Sequence, residues 1–98
     1  MNMHSCYIFF RKLSNPLRIK IIESLSKKPK TVSQLSKDIN VEQSKLSHAL
    51  KSLRLCNIVN AKQKGKNRIY SLDKEMILPL INLTQKYEKK FCKYCHLK

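Results

Sequence analysis

Between Pro29 and Gln43 the chain reads "PKTVSQLSKDINVEQ", and this punctuation constrains the fold more than any other stretch. Proline lacks the amide that a helix interior needs and crowds the preceding turn, so a helix arriving from the N-terminal side stops at Pro29. Just beyond it, "TVSQ" has the form of a capping box, in which the Thr31 hydroxyl reaches the third amide while the Gln34 side chain reaches back. Asn40 tolerates the left-handed conformation that closes a helix, and Val41 follows as an apolar plug. The segment therefore predicts a short helix over 32–39, a tight turn and an immediate second helix. A helix that short is not stable alone in water, so its neighbours must hold it.

Those neighbours are legible. In "NPLRIKIIESLSKK" Asn15 can cap with its side-chain oxygen and Pro16 takes the first helical position, after which Leu17, Ile21 and Leu25 recur with Ile22 beside them. The helix expected over 43–56 sets Leu46, Ala49, Leu50 and Leu53 on one face. Its other face carries Gln43, Ser44, Lys45, Ser47, His48, Lys51 and Arg54. Ahead of all this, 8–13 reads as a short appended helix with Ile8, Phe9, Phe10 and Leu13 in its apolar stripe.

Downstream, "IVNAKQKGKNRIYSL" holds two β-prone runs, 58–61 and 68–72, around a turn at Gly65, the only glycine in the chain. Lys62, Lys64, Lys66 and Arg68 occupy every second position through it and read as one basic stripe. A last helix begins near Asp73 and carries Ile77, Leu80, Ile81, Thr84, Tyr87 and Phe91 with a helical period. Pro79 demands either a start close to it or a mild bend.

The expected fold is mainly α with a small β-hairpin, in the order α-α-α-α-β-β-α: one winged helix-turn-helix domain over 1–98, its helix-turn-helix at 31–56 and its wing at 58–72. A chain of 98 residues supports a single core, so surplus apolar helix surface implies a second subunit.

Charge names the partner class. Twenty-one Lys and Arg oppose six acids, a formal net charge of +15, which calls for a polyanion. Lysine is abundant here together with isoleucine and asparagine, so the placement of the charge decides its meaning, and it gathers on the fourth helix and the hairpin. A basic, aromatic-poor surface suits double-stranded DNA better than single strands, which need stacking platforms. The expected contacts are Gln43, Ser44, Lys45, Ser47, His48 and Lys51 at base edges and phosphates, with Lys62, Lys64, Lys66 and Arg68 on the backbone. Ser47 and His48 invite a hydrolytic reading, but adjacent helical side chains diverge by about 100° and no acid is placed to orient the histidine. No stretch is long and apolar enough to cross a bilayer, and a cytoplasmic protein without membrane partners is expected.

The motifs at 13–25 ("LSNPLRIKIIESL"), 41–59 ("VEQSKLSHALKSLRLCNIV") and 64–72 ("KGKNRIYSL") resemble the opening helix, recognition helix and wing of the ArsR/SmtB family of transcriptional regulators. The resemblance implies a homodimeric repressor that binds a palindromic operator and leaves it when an inducer binds, its two copies joined through the first and last helices, here 1–14 and 74–98, with Ile8, Phe9, Leu80, Leu83, Tyr87 and Phe91 at the interface. Glu42, Ala49 and Asn57 depart from the family's usual Ser, His and Gly. Its thiol site at the start of the third helix is matched by "TVSQL", which has no cysteine. Its zinc site on the last helix needs histidines that 73–88 lacks.

What remains for sensing is the terminal "FCKYCHLK". On a helix Cys92 shares a face with Cys95 and His96, three ligands suited to zinc or another thiophilic metal, with Cys6 or His4 of the first helix as a fourth. Packed thiols at an interface, a thiol switch and a C-x-x-C-H haem attachment are the other readings of these letters, the last requiring an exported chain. Cys56 reads as a packed residue. A non-sensing architectural DNA-binding protein is the alternative for the chain as a whole.

Overall fold

The computed structural model describes residues 3–90, which form α1 (Met3–Leu13), α2 (Pro16–Lys27), α3 (Val32–Ile39), α4 (Gln43–Leu55), β1 (Val59–Lys64), β2 (Asn67–Leu72) and α5 (Ile77–Lys90). The order is the expected one. Asn15 Oδ1 accepts from the amides of Leu17 at 3.0 Å and Arg18 at 3.2 Å, launching α2 with Pro16 in its first turn. The capping box of α3 closes in both directions: the Gln34 amide donates to Thr31 Oγ1 at 3.2 Å and the Thr31 amide to Gln34 Oε1 at 2.9 Å.

Helices α3 and α4 end alike. Asn40 (φ 55°) and Asn57 (φ 58°) both adopt the left-handed conformation. After them the Val41 amide reaches Ser36 O at 3.3 Å, an oxygen that also accepts from the Asn40 amide, and the Ile58 amide reaches Leu53 O at 3.0 Å, each bond spanning the last turn of its helix. Asn57 stands where the resembled family carries glycine. Asparagine meets the same backbone requirement because its short polar side chain tolerates positive φ.

Ile21, Ile22, Leu35, Leu46, Leu50 and Leu53 are sealed between α2, α3 and α4, and Ile58 and Val59 close the core from the start of the hairpin. Two polar residues, Ser24 and Lys30, join them. Lys30 is buried, and its ammonium donates to Ser24 O at 2.8 Å, Ser24 Oγ at 2.6 Å and Asp38 Oδ2 at 2.9 Å. The Ser24 hydroxyl in turn donates to Asp38, and that bond, followed by the Lys30 ammonium, holds the Asp38 carboxyl below its ordinary value of 3.8. The Lys30 main chain bridges Tyr70 of β2 in both directions, at 3.0 and 2.8 Å. Thus one residue between α2 and α3 ties both to the hairpin, and a buried ammonium keeps all three of its donors occupied.

Several boundaries moved. α1 starts at Met3 rather than 8, β1 and β2 run on to the turn, and α5 starts at Ile77 rather than near residue 73. Asp73 is still its cap: Oδ2 accepts from the amides of Met76 at 2.9 Å and Ile77 at 3.1 Å. Pro79 then falls in the first turn of α5, where no intrahelical bond requires its missing N–H, and no bend is needed.

Candidate nucleic-acid interface

The two faces of α4 separate as the 3.6-residue period requires. Leu46, Ala49, Leu50 and Leu53 are buried, whereas Gln43, Ser44, Lys45, Ser47, His48, Lys51 and Arg54 are all exposed. Glu42, the residue in the cap position, makes no side-chain capping bond, so the first amides of α4 are left to solvent or a ligand. Gln43 Nε2 makes a long bond of 3.4 Å to Ser33 Oγ on α3.

Arg18 belongs beside this face although nothing in the sequence around α4 marks it. It borders, with Asn15, a cleft whose other wall is Ser44, Lys45 and His48. Its Nη1 donates to Lys12 O at 3.3 Å, and Lys12 Nζ donates to Ser52 Oγ at 2.8 Å, so the start of α2 and the end of α1 are both tied down next to α4. Only tertiary packing brings Arg18 there.

The hairpin requires a correction. Read along the chain, Lys62, Lys64, Lys66 and Arg68 share a parity, and side chains two apart on one strand share a face. The strands, however, pair Lys64 with Asn67, Gln63 with Arg68, Lys62 with Ile69 and Ala61 with Tyr70, leaving Gly65 and Lys66 as a two-residue turn. Directly opposed residues point the same way, so the turn reverses parity. Lys62 and Lys64 lie on one face with Asn60, Ile69 and Ser71. Arg68 lies on the other with Gln63 and, further in, the buried Val59, Tyr70 and Leu72. Its guanidinium sits 5.8 Å from the centroid of the Tyr70 ring, a cation–π distance. Gly65 has φ 63° and Lys66 a negative φ, the pattern of the primed turns that match strand twist, with glycine first. The single stripe is therefore two basic faces joined at Lys66.

Of the residues expected at a subunit interface, Leu83 and Tyr87 are 63% and 61% exposed on α5, Ile8 is exposed, and Leu80 is half-buried. Phe9 departs from expectation, since it packs against the core of its own subunit. The aromatic groups that stand out from α1 are Tyr7 and Phe10, both 59% exposed.

Phe91, Cys92, Cys95 and His96 lie outside the described residues. Cys6 is half-buried on α1 and His4 is exposed; two apart on one helix, they point to different sides, so at most one of them can join a common ligand set. Among the described residues no three His, Cys, Asp or Glu side chains gather into a group able to hold a metal ion. Cys56 is half-buried and packs against the core. No helix among them is long and apolar enough to cross a membrane.

The sequence profile described as "Bacterial regulatory protein, arsR family" matches residues 15–61. The chain is 37% identical over 79 residues to the HTH-type transcriptional regulator Rv0081 of Mycobacterium tuberculosis, covering 80% of this chain and 69% of that one. Over 72 residues it is 31% identical to a transcriptional repressor SmtB homolog of Synechocystis, covering 74% and 54% of the two chains. The crystal structure of Rv0081 superimposes with a TM-score of 0.83 at 30% identity over 94% of each chain. The winged helix-turn-helix domain Mb0332 of Mycobacterium bovis, which is homodimeric, shares the fold at a TM-score of 0.79, covering 88% of this chain and 80% of that one at 21% identity. The chain accordingly belongs to the arsR family of bacterial regulatory proteins and is a winged helix-turn-helix, DNA-binding transcriptional regulator, not an enzyme.

Proposed function

We propose that the chain is a homodimeric, sequence-reading repressor whose α4 enters the major groove of an operator. The observation that carries this is the division of α4: an apolar face anchored in the core and an unobstructed face of short hydroxyl, amide, imidazole and ammonium groups. Gln43, Ser44, Ser47 and His48 can exchange hydrogen bonds with base edges, and Lys45, Lys51 and Arg18 can neutralise phosphates beside them. Lys62, Lys64, Lys66 and Arg68 of the hairpin add backbone contacts. The exposed aromatic and aliphatic side chains of α1 and α5, which also carry the ends of the chain, serve as the joint between two copies. Two wings and two recognition helices then meet a palindrome.

In the same reading, Cys92, Cys95 and His96, with Cys6 as a fourth ligand, take a thiophilic metal such as zinc and couple it to operator release in the cytoplasm. Thiolates and an imidazole favour such an ion, and their deprotonation on binding ties affinity to pH. The chain's likeness to an SmtB homolog named as a transcriptional repressor supports the repressor reading.

The test is selection of duplexes from a random pool, followed by competition with random duplex at several salt concentrations. A repressor enriches one palindromic sequence and holds it far more tightly than the competitor. Equal affinity for all duplexes would mean an architectural binder instead. Elemental analysis of protein purified under reducing conditions, repeated on a Cys92→Ser, Cys95→Ser variant, tests the sensing arm. Stoichiometric metal that the variant lacks supports it, and absence of metal in both removes it.

A further inference from the structure

The reversed parity of the hairpin leaves a basic surface that α4 does not share. On the face carrying Lys62, Lys64, Ile69 and Ser71, a groove also touches Pro29 and Lys74. A second groove shares Pro29, Ser71 and Lys74 with the first and continues to Lys27 and Lys28 at the end of α2. Neither groove is lined by an acid. Two carboxylates flank Lys74 along the chain: Asp73 is occupied in capping α5, and the exposed Glu75 does not line either groove. Lys28, Lys62, Lys64 and Lys74 are exposed, and none is paired with a carboxylate among the described residues. The helices pack against the opposite, Val59–Tyr70–Leu72 side of the hairpin, so this surface looks away from them.

We propose that this outer track of lysines holds the phosphate backbone of duplex DNA beyond the segment that α4 reads, so that each subunit grips flanking DNA of any sequence. The inference rests on the DNA-binding reading above and extends it to Lys28 and Lys74. Continuity argues for the same duplex: the track begins at Lys62 and Lys64, next to the turn carrying Lys66. The chemistry argues for phosphate. The groups are flexible point charges strung along two joined grooves, an arrangement that neutralises successive phosphates without requiring a fixed fork geometry. Flanking phosphates would supply affinity and salt dependence without sequence information.

The experiment compares a selected palindromic duplex cut to its minimal length with the same duplex extended by about one helical turn, or 10 base pairs, at each end. The full-length protein and a Lys28→Gln, Lys74→Gln variant are titrated against both over a range of salt. The unaltered protein is expected to bind the extended duplex about tenfold more tightly at low salt, with a steeper salt slope. The variant should match it on the minimal duplex, lose most of the gain on the extended one, and show a slope there shallower by about four, two lysines being removed from each of two subunits. Equal affinity of the unaltered protein for the two lengths overturns the proposal, as does a variant that keeps the whole gain. If polyglutamate binds the protein, is lost by the variant, and no length effect is seen, the track belongs to an acidic protein and the flanking-DNA proposal fails. Failure to select any duplex would overturn the underlying reading as well, whereas selective binding of the minimal duplex without a length effect overturns this inference alone.

Discussion

Helix α4 and the β1–β2 hairpin carry most of the charge expected to meet DNA, yet their faces became known in different ways. Along α4, buried and exposed positions follow directly from the spacing of Leu46, Leu50 and Leu53, because a continuous helix keeps one period from end to end. In the hairpin an equally regular spacing misled. Lys64 and Arg68 are separated by a turn, and a two-residue turn places residues of like parity on opposite faces. A sequence period assigns a face only within an unbroken element.

The first way to press this comparison is to attack the buried side of α4. Leu50 is fully buried, so Leu50→Ala should cost about 2–5 kcal/mol of stability, read as a lowered denaturant midpoint. A loss below about 1 kcal/mol, the range of a surface change, would mean that this face is not the core. Next comes the exposed side. His48→Ala should cost about 1–3 kcal/mol of discrimination between a selected duplex and random DNA while leaving stability unchanged. Lys66→Gln at the joint of the two hairpin faces should instead weaken binding to all duplexes alike and flatten the salt slope by about two, one contact from each of two wings. If His48→Ala lowered all affinities equally, or Lys66→Gln altered discrimination, the proposed division of labour between helix and hairpin would be wrong.

The turn itself offers a smaller test. A Cβ at Gly65 would meet nothing within 4 Å, but the residue has φ 63°, so Gly65→Ala should destabilise by about 1 kcal/mol through backbone strain alone. Gly65→Asn, better suited to that conformation, should recover part of the loss. The last test concerns the tie between helices and hairpin, and its effect vanishes in acid. Asp38 has its carboxyl lowered by the Ser24 hydroxyl and then by the Lys30 ammonium, so its contribution is present above the ordinary carboxylate value and is lost as pH falls through the lowered one. Chemical denaturation of the parent protein and Asp38→Asn should therefore differ at neutral pH and converge as the solution is acidified below the ordinary value of 3.8. A difference independent of pH would remove the ionised carboxylate from the account.

Much of the helix-turn-helix was legible because its signals are local. Asn15 with Pro16, Thr31 with Gln34, and Asn40 each start or end a helix through groups a few residues away, and α3 occupies the range its caps announced. The buried Lys30 was not legible. In a chain with 21 Lys and Arg nothing local distinguishes it, and its partners Ser24, Asp38 and Tyr70 meet only once α2, α3 and β2 have packed. Arg18 beside the recognition face escaped notice for the same reason, as did the turning of Phe9 into the core while Tyr7 and Phe10 stand out.

By itself, then, the sequence determined where helices begin and end and which side of each is apolar, since capping and helical periodicity act within a turn or two of backbone. Tertiary structure alone decided which lysine is buried, which arginine joins the α4 face, and how the hairpin divides its charge. Those outcomes depend on contacts between residues distant in the chain and on the length of one turn, and neither quantity is encoded at any single position.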